Sequence, residues 1–411
     1  MITKNVDVAV IGGGPAGLAA AISAKKEGVA NILIIERDEH LGGILNQCIH
    51  EGFGLEIYKE ALTGPEYIQR FIDEVEELEI PVMLKSMVID LNENRELLVS
   101  NENGLHLIKA KAVILTMGCR ERTRGMIRIP GTRPSGIFKA GEAQHFINIA
   151  NYMIGRRVVI LGSGDIGLIM ARRLVLEGAE VTCVVEILPY CSGLIRNRVQ
   201  CLEDFDIPLL LKHTVVDIEG KERVESVIIA EVDDKGQIVE GTDRKIECDT
   251  LLLSVGLIPE NELSKMAKIA LDEATGGAVV NENFMTSCPG IFACGNVLLV
   301  HDIVDYVTMD AYLAGKNAAL FAKGKLKEKS RIPMKPGQGI RFVVPQKIAL
   351  EDVEVYMRVL EPGLDKKIVI SDGEKLFKSK KFKIVAPPEM VKIKLNADEI
   401  ADAKEITVKV E

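Results

Sequence analysis

Two stretches of the chain repeat one alternation of apolar strand, glycine turn, helix and second strand. The segments are 6–11, 12–17, 16–28 and 31–35 in the first copy, and 157–161, 162–167, a helix ending at 178, and 180–185 in the second. Short, continuous apolar runs are typical of strands buried on both faces of a parallel sheet. The pattern therefore predicts two strand–helix–strand units of the dinucleotide-binding type.

Both copies carry glycines at the same spacing and close on a glutamate, each displaced by 150 residues. The matched positions are Gly12 and Gly162, Gly14 and Gly164, Gly17 and Gly167, and Glu36 and Glu186. The first glycine permits a tight turn, the second lets backbone approach a pyrophosphate, and the third lets the helix pack on the sheet. The acid accepts hydrogen bonds from ribose hydroxyls. Two such sites predict two bound dinucleotides.

The acidic side chains favour nucleotides that lack a 2′-phosphate. Glu36 and Glu186 would repel such a phosphate at either site. Asp165 stands where the first copy has Pro15, and it adds negative charge at the start of the second helix, where a carboxylate is tolerated. We expect NAD rather than NADP as the nicotinamide cofactor.

The remaining segments extend this pattern and then depart from it. Apolar runs at 111–118 and 249–256 are predicted as returning strands, and the block 286–296 leads into a helix of about 302–323. Beyond residue 325 the segments 340–344, 353–359, 391–395 and 406–410 alternate apolar and polar residues, as half-buried antiparallel strands do. The predicted fold class is α/β, with two Rossmann-like three-layer domains and a small C-terminal β domain over 325–411.

Composition excludes several classes of protein. With 411 residues, 47% hydrophobic and 27% charged, the chain has the size and composition of a globular protein of two or three domains. Its net charge of −9 and lack of Trp give no basis for binding nucleic acid. Residues 331–411 carry +3 and the preceding 330 residues −12, so the β domain is suited to meeting another subunit. A plain structural cap is the alternative.

Cysteine usage indicates a reducing compartment. The eight cysteines include no CxxC pair, so no metal site and no disulfide framework is predicted. No apolar run reaches the ~18 residues of a membrane span. The N-terminal apolar stretch is broken by glycines, unlike a signal peptide. We expect an unprocessed cytoplasmic protein.

Over residues 1–323 the chain resembles the pyridine-nucleotide-dependent FAD oxidoreductases with two dinucleotide-binding domains. The matching strings are IGGGPAG (11–17), ILTMG (114–118), LLLSVGLIPEN (251–261) and GIFACGN (290–296). The resemblance implies a glutathione-reductase-like arrangement, with an FAD domain (1–121 and 263–323) and an inserted NAD domain (122–262). Asn296 departs from the Asp usual in that family, although an amide can still hydrogen-bond a hydroxyl.

The same resemblance implies which residues contact each cofactor. For FAD they are Gly12, Gly14, Pro15, Ala16, Gly17, Glu36, Arg37, Gly43, Val88, Gly118, Gly295, Asn296, Asp302 and Ile303. For NAD they are Gly162, Gly164, Asp165, Ile166, Gly167, Glu186 and Gly256. The N-terminus of the helix 302–323 is expected to face the flavin, where its positive end would stabilise the anionic reduced ring. Side-chain roles for His301 and Asp302 are expected to be secondary.

A narrower resemblance covers the same span. The strings GGILNQCIHEGFG (42–54), GCRERTRG (118–125), ILGSGDIGLIMARRL (160–174) and FACGNVLLVHDIVD (292–305) are similar to the FAD/NAD subunits encoded beside anaerobic-type glycerol-3-phosphate dehydrogenases. Related chains serve opine oxidases, cyanide-forming glycine dehydrogenases and proline dehydrogenases. The resemblance implies a flavoprotein dehydrogenase subunit as partner in a hetero-oligomer.

Features of the disulfide reductases of this superfamily are missing. Those enzymes have a Cys pair beside the flavin, a Lys–Glu pair and a C-terminal His. Here Cys48 stands alone, Glu51 and Ile169 occupy the positions of the pair, and no His follows His301. We therefore predict a chain that is not a disulfide reductase.

Cys48 and His50 are the candidate catalytic residues. Cys48 could be a redox thiol with a depressed pKa or a small packing residue beside the flavin, and packing is favoured. His50 could be an acid–base group or a polar loop residue. The predicted function is hydride exchange between NAD(H) and FAD in a multi-subunit complex. The alternatives are a free-standing NADH oxidase or peroxidase, and an FAD/NAD-bound assembly or sensor module.

Overall fold

The computed structural model describes residues 2–411, which fall into two compact units. One unit combines residues 2–119 with Pro259–Glu411, and the other is Arg120–Ile258. No helix in the described part of the chain has both the length and the apolar character needed to cross a membrane. The units are described in turn below.

The segment 2–119 builds most of a seven-stranded sheet. Its elements are β1 (Ile2–Ile11), α1 (Pro15–Lys26), β2 (Ile32–Ile35), β3 (Glu51–Phe53), β4 (Leu62–Thr63), α2 (Gly64–Glu77), β5 (Val82–Met83), β6 (Met87–Leu91), β7 (Glu96–Asn101) and β8 (Gly104–Leu115). The order is β5-β2-β1-β8-β7-β6. The first four strands are parallel, whereas β6 and β7 are antiparallel. All four residues of β2 are buried, as expected for a strand covered on both faces.

The unit 120–258 repeats the architecture with fewer additions. Its elements, with the strands at its two ends, are β9 (Cys119–Glu121), α3 (Arg124–Ile127), β10 (Ile137–Lys139), α4 (Ala140–Asn148), β11 (Arg157–Leu161), α5 (Asp165–Leu176), β12 (Glu180–Glu186), α6 (Ile195–Cys201), β13 (Leu209–Leu211), β14 (His213–Gly220), β15 (Val224–Glu231), β16 (Arg244–Glu247), β17 (Thr250–Leu253) and β18 (Leu257–Pro259). A parallel sheet has the order β10-β17-β11-β12-β13. The antiparallel sheet β14-β15-β16 accompanies it.

The segment 259–411 returns to the first unit and then forms a β module. Its elements are α7 (Glu262–Met266), β19 (Ile291–Ala293), α8 (Val304–Ala322), β20 (Ile332–Pro336), β21 (Ile340–Val344), β22 (Lys347–Ile348), β23 (Val353–Val359), β24 (Gly363–Ser371), β25 (Leu376–Val385), β26 (Val391–Leu395) and β27 (Ile406–Val410). Strand β19 joins the first sheet in parallel with β8. Helix α8 approaches α1 closely, because a Cβ on Gly315 would lie 2.1 Å from the carbonyl oxygen of Ala20.

The β module has two sheets, β22-β20-β27-β24-β25 and β21-β23-β26. Most of its neighbouring strands are antiparallel, although β20 and β27 pair in parallel. The sheets enclose a core of their own. Four side chains of the module also lie in the core of the seven-stranded sheet, namely Phe342, Val344, Tyr356 and Met390. The predicted α/β class with two Rossmann-like folds and an added β module is confirmed.

Candidate functional site

In the first glycine loop, two glycines stand where any side chain would clash with neighbouring backbone. Gly12 has φ of +109°, and a Cβ there would lie 2.7 Å from the Thr116 carbonyl oxygen. A Cβ on Gly17 would lie 1.8 Å from the carbonyl oxygen of Gly12. Thr116 completes the turn, since its Oγ1 donates to the carbonyl of Ile11 at 2.8 Å. Both glycines are therefore required to close the turn between β1 and α1.

The outer side of the same loop is open. A Cβ on Gly14 would meet nothing nearer than the Cα of Gly43, at 3.9 Å, and one on Gly118 would meet nothing within 4 Å. Helix α1 begins at Pro15, and no side chain caps its N-terminal N–H groups. Buried Ala16 follows in the first turn. This open backbone at a helix N-terminus fits a dinucleotide pyrophosphate, so the residues present suit the FAD expected here.

Glu36 lies at the end of β2 and is 6% exposed. Its Oε2 accepts a hydrogen bond from Gly13 N at 2.5 Å, and its Oε1 accepts one from Asp38 N at 2.9 Å. Each oxygen keeps acceptor capacity for a ribose hydroxyl. Of the other two residues predicted at this end, Arg37 is exposed, whereas Val88 lies on β6 with its side chain in the core.

The block after β19 packs on the start of α1. A Cβ on Gly295 would lie 2.8 Å from the Cβ of Ala16, so only glycine permits this approach. Next to it, Asn296 Oδ1 accepts a hydrogen bond from His301 N at 3.0 Å. His301 Nε2 lies 2.8 Å from Asp310 Oδ2, and both side chains are 1% exposed. His301 thus links the Asn296 turn to helix α8.

The N-terminus of α8 gathers the remaining predicted residues. Ile303 precedes the helix, and no side chain caps that end. Asp302 Oδ2 accepts a hydrogen bond from Met390 N of the β module at 3.1 Å. Buried Asp305 accepts hydrogen bonds from the backbone N–H groups of Gly54 and Ile57, each at 3.1 Å. Asp305 therefore holds the loop that follows Cys48, and the sequence analysis did not find it.

Cys48 is 9% exposed and ends the 3₁₀ turn Gly43–Gln47. Its Sγ donates to the carbonyl oxygen of Ile44 at 3.3 Å. Burial raises the pKa of the Cys48 thiol to about 12. The His50 ring lies 5.0 Å from the ring of Phe53. The depressed pKa considered for Cys48 is thus opposite in direction to the shift that burial produces, which agrees with a packing role.

The second glycine loop has the same construction with Ser254 in the place of Thr116. A Cβ on Gly162 would lie 2.1 Å from the Ser254 carbonyl oxygen, and one on Gly167 would lie 2.6 Å from the Ser254 Cβ. Ser254 Oγ accepts a hydrogen bond from Gly167 N at 3.1 Å. Both hydroxyl residues stand two positions before a glycine, Gly118 or Gly256. This shared spacing is the sequence signal that could have identified them.

The acids of the second loop are heavily hydrogen-bonded. Glu186 is 3% exposed, and its Oε2 accepts hydrogen bonds from Ser163 N at 2.9 Å, Ser163 Oγ at 2.5 Å and Ser192 Oγ at 2.9 Å. Asp165 Oδ1 accepts from Leu194 N at 2.8 Å and Asn197 Nδ2 at 2.6 Å.

The other residues of this loop leave space beside it. Gly164 precedes α5 without a side-chain cap, and Ile166 is half-buried. Gly256 has φ of +100°, and a Cβ there would meet nothing nearer than 3.9 Å. The N-terminus of α5 is uncapped like that of α1, so the residues fit a second dinucleotide, although a Cβ on Gly164 would lie 3.1 Å from Ser254 Oγ.

The matched pattern of loops, acids and third block agrees with a family model. Residues 6–318 match the model described as "Pyridine nucleotide-disulphide oxidoreductase". The chain belongs to this family. It is an FAD-dependent oxidoreductase of pyridine nucleotides, NADH or NADPH.

Two curated relatives illustrate the range of the family. Ferredoxin–NADP reductase 2 of Oceanobacillus iheyensis is 27% identical over 82% of this chain and 98% of the relative. NADH dehydrogenase of Bacillus subtilis is 25% identical over 71% of this chain and 53% of the relative. Several other curated relatives are also longer, and the chain spans between 54% and 64% of them.

Solved structures share the fold of this family member. Thioredoxin reductase from T. acidophilum superposes with a TM-score of 0.65 and 22% identity, over 78% of this chain and 99% of that chain. L-proline dehydrogenase from P. horikoshii gives a TM-score of 0.52 and 20% identity, over 79% of this chain and 59% of that chain. Both comparisons speak for the fold alone.

Proposed function

We propose that the chain exchanges hydride between NAD(H) and FAD and passes electrons directly to a separate protein, as the NADH-reactive subunit of a glycerol-3-phosphate-dehydrogenase-type complex. The observation that carries the direct transfer is the state of Cys48. This thiol is buried, and its pKa is raised to about 12. Among the described residues no two cysteines form a disulfide that could act as a relay.

FAD, when bound, supplies the ring that takes up and releases electrons. The protein's part is to bind and orient. The α1 N-terminus and the backbone of Gly14 receive a pyrophosphate, and Glu36 receives ribose hydroxyls. The uncapped N-terminus of α8 supplies positive electrostatic potential at the other end of the site. Asp305 holds the Gly54–Ile57 loop against that helix.

NAD is the proposed nicotinamide cofactor. The buried Glu186 carboxylate stands at the end of β12, where a 2′-phosphate would meet it. No Lys or Arg occurs between Glu186 and Ile195 to neutralise such a phosphate. The Oceanobacillus relative is named for NADP, so the identity of this acid is the decisive feature in this chain.

The proposed partner is a flavoprotein dehydrogenase subunit. Support comes from the long strings at 42–54, 118–125, 160–174 and 292–305, which are similar to subunits of such complexes. The β module adds a second argument, because its net positive charge suits encounter with an acidic surface.

The second candidate is a free-standing NADH oxidase or peroxidase, which the name of the Bacillus relative favours in part. A peroxidase working through Cys48 would need a thiolate, which burial of this thiol opposes. Both enzyme functions need fast reduction of the flavin by NADH, whereas an FAD/NAD-bound assembly or sensor module tolerates slow reduction.

The test is purification of the native chain from its own cells, followed by assay of the isolated species. We expect a flavoprotein dehydrogenase subunit to co-purify, and NADH to reduce artificial dyes rapidly through the flavin. We expect no turnover with peroxide. A chain that elutes alone and oxidises NADH rapidly with O2 or peroxide would contradict the proposal. Removing the partner with salt should leave the dye reaction intact.

A further inference from the structure

The internal repeat extends further than the glycines and glutamates. Displacement by 150 residues also matches the segment Leu41-Gly42-Gly43 with Cys191-Ser192-Gly193. In the first copy Gly42 N donates to the carbonyl oxygen of Gly13 at 2.8 Å. In the second copy Ser192 N donates to Ser163 Oγ at 2.8 Å. Each segment folds back onto its own glycine loop, and among the described residues the second does so through a side-chain hydrogen bond.

Two serines replace two glycines at this contact. Ser163 stands where the first copy has Gly13, and Ser192 stands where it has Gly42. Both hydroxyls reach Glu186 Oε2, at 2.5 Å and 2.9 Å, and they lie 3.1 Å from each other. Glu36 has no equivalent side-chain donors and is held by two backbone N–H groups, those of Gly13 and Asp38.

The segment between Glu186 and α6 is also held at its far end. Asp165 Oδ1 accepts hydrogen bonds from Leu194 N at 2.8 Å and Asn197 Nδ2 at 2.6 Å. Pro15, the matching residue of the first copy, has no side-chain acceptor. Leu188 N donates to Glu186 Oε1 at 2.9 Å. The segment is thus tied to the glycine loop at both ends.

These contacts distribute the acceptor capacity of Glu186 unequally. Among the described residues three donors occupy Oε2, whereas Leu188 N alone donates to Oε1. The oxygen with remaining capacity for a ribose hydroxyl is therefore Oε1. Hydrogen bonds to a carboxylate are the strong ones, and four donors fix the rotamer of this buried side chain.

We propose that Ser163 and Ser192 are specificity-determining positioning residues, which fix the Glu186 carboxylate so that it binds an adenosine ribose and rejects a 2′-phosphate. The inference rests on the proposed use of NAD at this loop and adds the residues that enforce it. A carboxylate without these donors would rotate away and lose its bond to the ribose. Removing a donor should therefore weaken the binding of the unphosphorylated nucleotide more than that of the phosphorylated one.

The test compares two probes that differ only in the 2′-phosphate, ADP-ribose and 2′-phospho-ADP-ribose. Binding is measured by titration calorimetry on the FAD-loaded full chain, so that the first loop is occupied. The variants are Ser192→Ala and Ser163→Gly, the latter restoring the residue of the first copy. Cys191→Ala is the matched control, because Cys191 lies on the same segment and its Sγ donates to the Ser163 carbonyl, at 3.7 Å, rather than to Glu186.

We expect wild type to prefer ADP-ribose. Each serine variant should bind ADP-ribose about tenfold more weakly and 2′-phospho-ADP-ribose within about twofold of wild type, since each loses a hydrogen bond to a charged group. Cys191→Ala should retain the wild-type ratio. If the serine variants kept the wild-type ratio of the two affinities, with both probes weakened equally or neither weakened, the specificity role would be overturned. The NAD proposal would stand in that case. Preference of wild type for the phosphorylated probe would overturn both. Thermal unfolding of each variant identifies any loss of fold.

Discussion

His301 Nε2 lies 2.8 Å from Asp310 Oδ2, and both side chains are 1% exposed. The backbone N–H of His301 donates to Asn296 Oδ1 at 3.0 Å, so the pair connects helix α8 to the turn predicted to meet FAD. Two buried polar groups that satisfy each other become costly when one is removed. This relationship makes Asp310 a positioning residue for Asn296.

Asp310→Ala should lower the free energy of unfolding by ~2–4 kcal/mol, because the buried His301 ring loses its partner. FAD affinity should fall at the same time, since the Asn296 turn loses its support. Urea unfolding of the apo chain and flavin titration measure the two effects. Asp73→Ala, an exposed change on α2, is the control. Unaltered stability and FAD affinity would show that the pair does not support the turn.

Asp305→Ala should release the loop that contains Gly54 and Ile57, because both backbone donors lose their acceptor. The expected cost is ~1–3 kcal/mol, the range for hydrogen bonds to a charged group. Trypsin should cut after the exposed Lys59 several times faster than in wild type, at protease concentrations that leave the rest of the chain intact. Leu55→Ala removes an exposed side chain from the same loop and should leave the cleavage rate unchanged.

Gly14→Ala should impair FAD binding, whereas Gly17→Ala should impair folding. Gly14 has φ of −81°, and a Cβ there would meet nothing nearer than 3.9 Å, so the alanine variant should fold normally yet bind FAD about 100-fold more weakly. Gly17→Ala places a Cβ 1.8 Å from a carbonyl oxygen and should destabilise the fold itself. Gly125→Ala is the control, because a Cβ on Gly125 would meet nothing nearer than 3.8 Å. Normal FAD binding by the Gly14 variant would contradict the pyrophosphate assignment.

Cys48 should be unreactive at neutral pH. With a pKa of about 12, its thiolate fraction at pH 7.5 is on the order of 10³-fold below that of an exposed cysteine. Iodoacetamide should label the half-exposed Cys119 and Cys191 first, as peptide mass spectrometry would report. Cys48→Ser should leave NADH-to-dye activity nearly intact. Rapid labelling of Cys48, or peroxide turnover that the substitution abolishes, would reverse the packing assignment.

The raised pKa of the Cys48 thiol also makes the stability of the fold depend on pH. The folded state holds the Cys48 proton more tightly than the unfolded state, so this contribution is present below about pH 9 and is lost as pH rises toward 12. The stability difference between wild type and Cys48→Ala should therefore shrink over that interval. Urea unfolding at pH 8 and pH 10 measures it.

The glycine loops could be predicted because local sequence dictates them. Their glycines avoid backbone atoms of the neighbouring strand, and the 150-residue repeat makes the pattern hard to miss. Element boundaries moved by only a few residues, as for α1, predicted over 16–28 and found at Pro15–Lys26. The small shifts arise because caps, rather than apolar runs, decide where helices begin and end.

The supporting residues could not be predicted in this way. Asp305 accepts a hydrogen bond from the backbone of Gly54, which is 251 residues away in sequence, and a local sequence pattern does not predict such a contact. The β module was predicted from alternation along its strands, but its contribution of Phe342 and Tyr356 to the first core depends on tertiary packing. Ser192 became informative only when the structure brought it to Glu186.

The central claim is that the chain accepts hydride from NADH onto FAD, with Glu186 setting the choice of nucleotide. Anaerobic stopped-flow reduction of the FAD-loaded chain tests it most directly, by following loss of flavin absorbance with NADH or NADPH. We predict rapid bleaching with NADH, and an efficiency of reduction on the order of 10–100-fold above that with NADPH. In Glu186→Ala the ratio of the two efficiencies should be smaller, because the variant binds NADH more weakly. Slow bleaching by both nucleotides, or equal efficiency in wild type, would contradict the account.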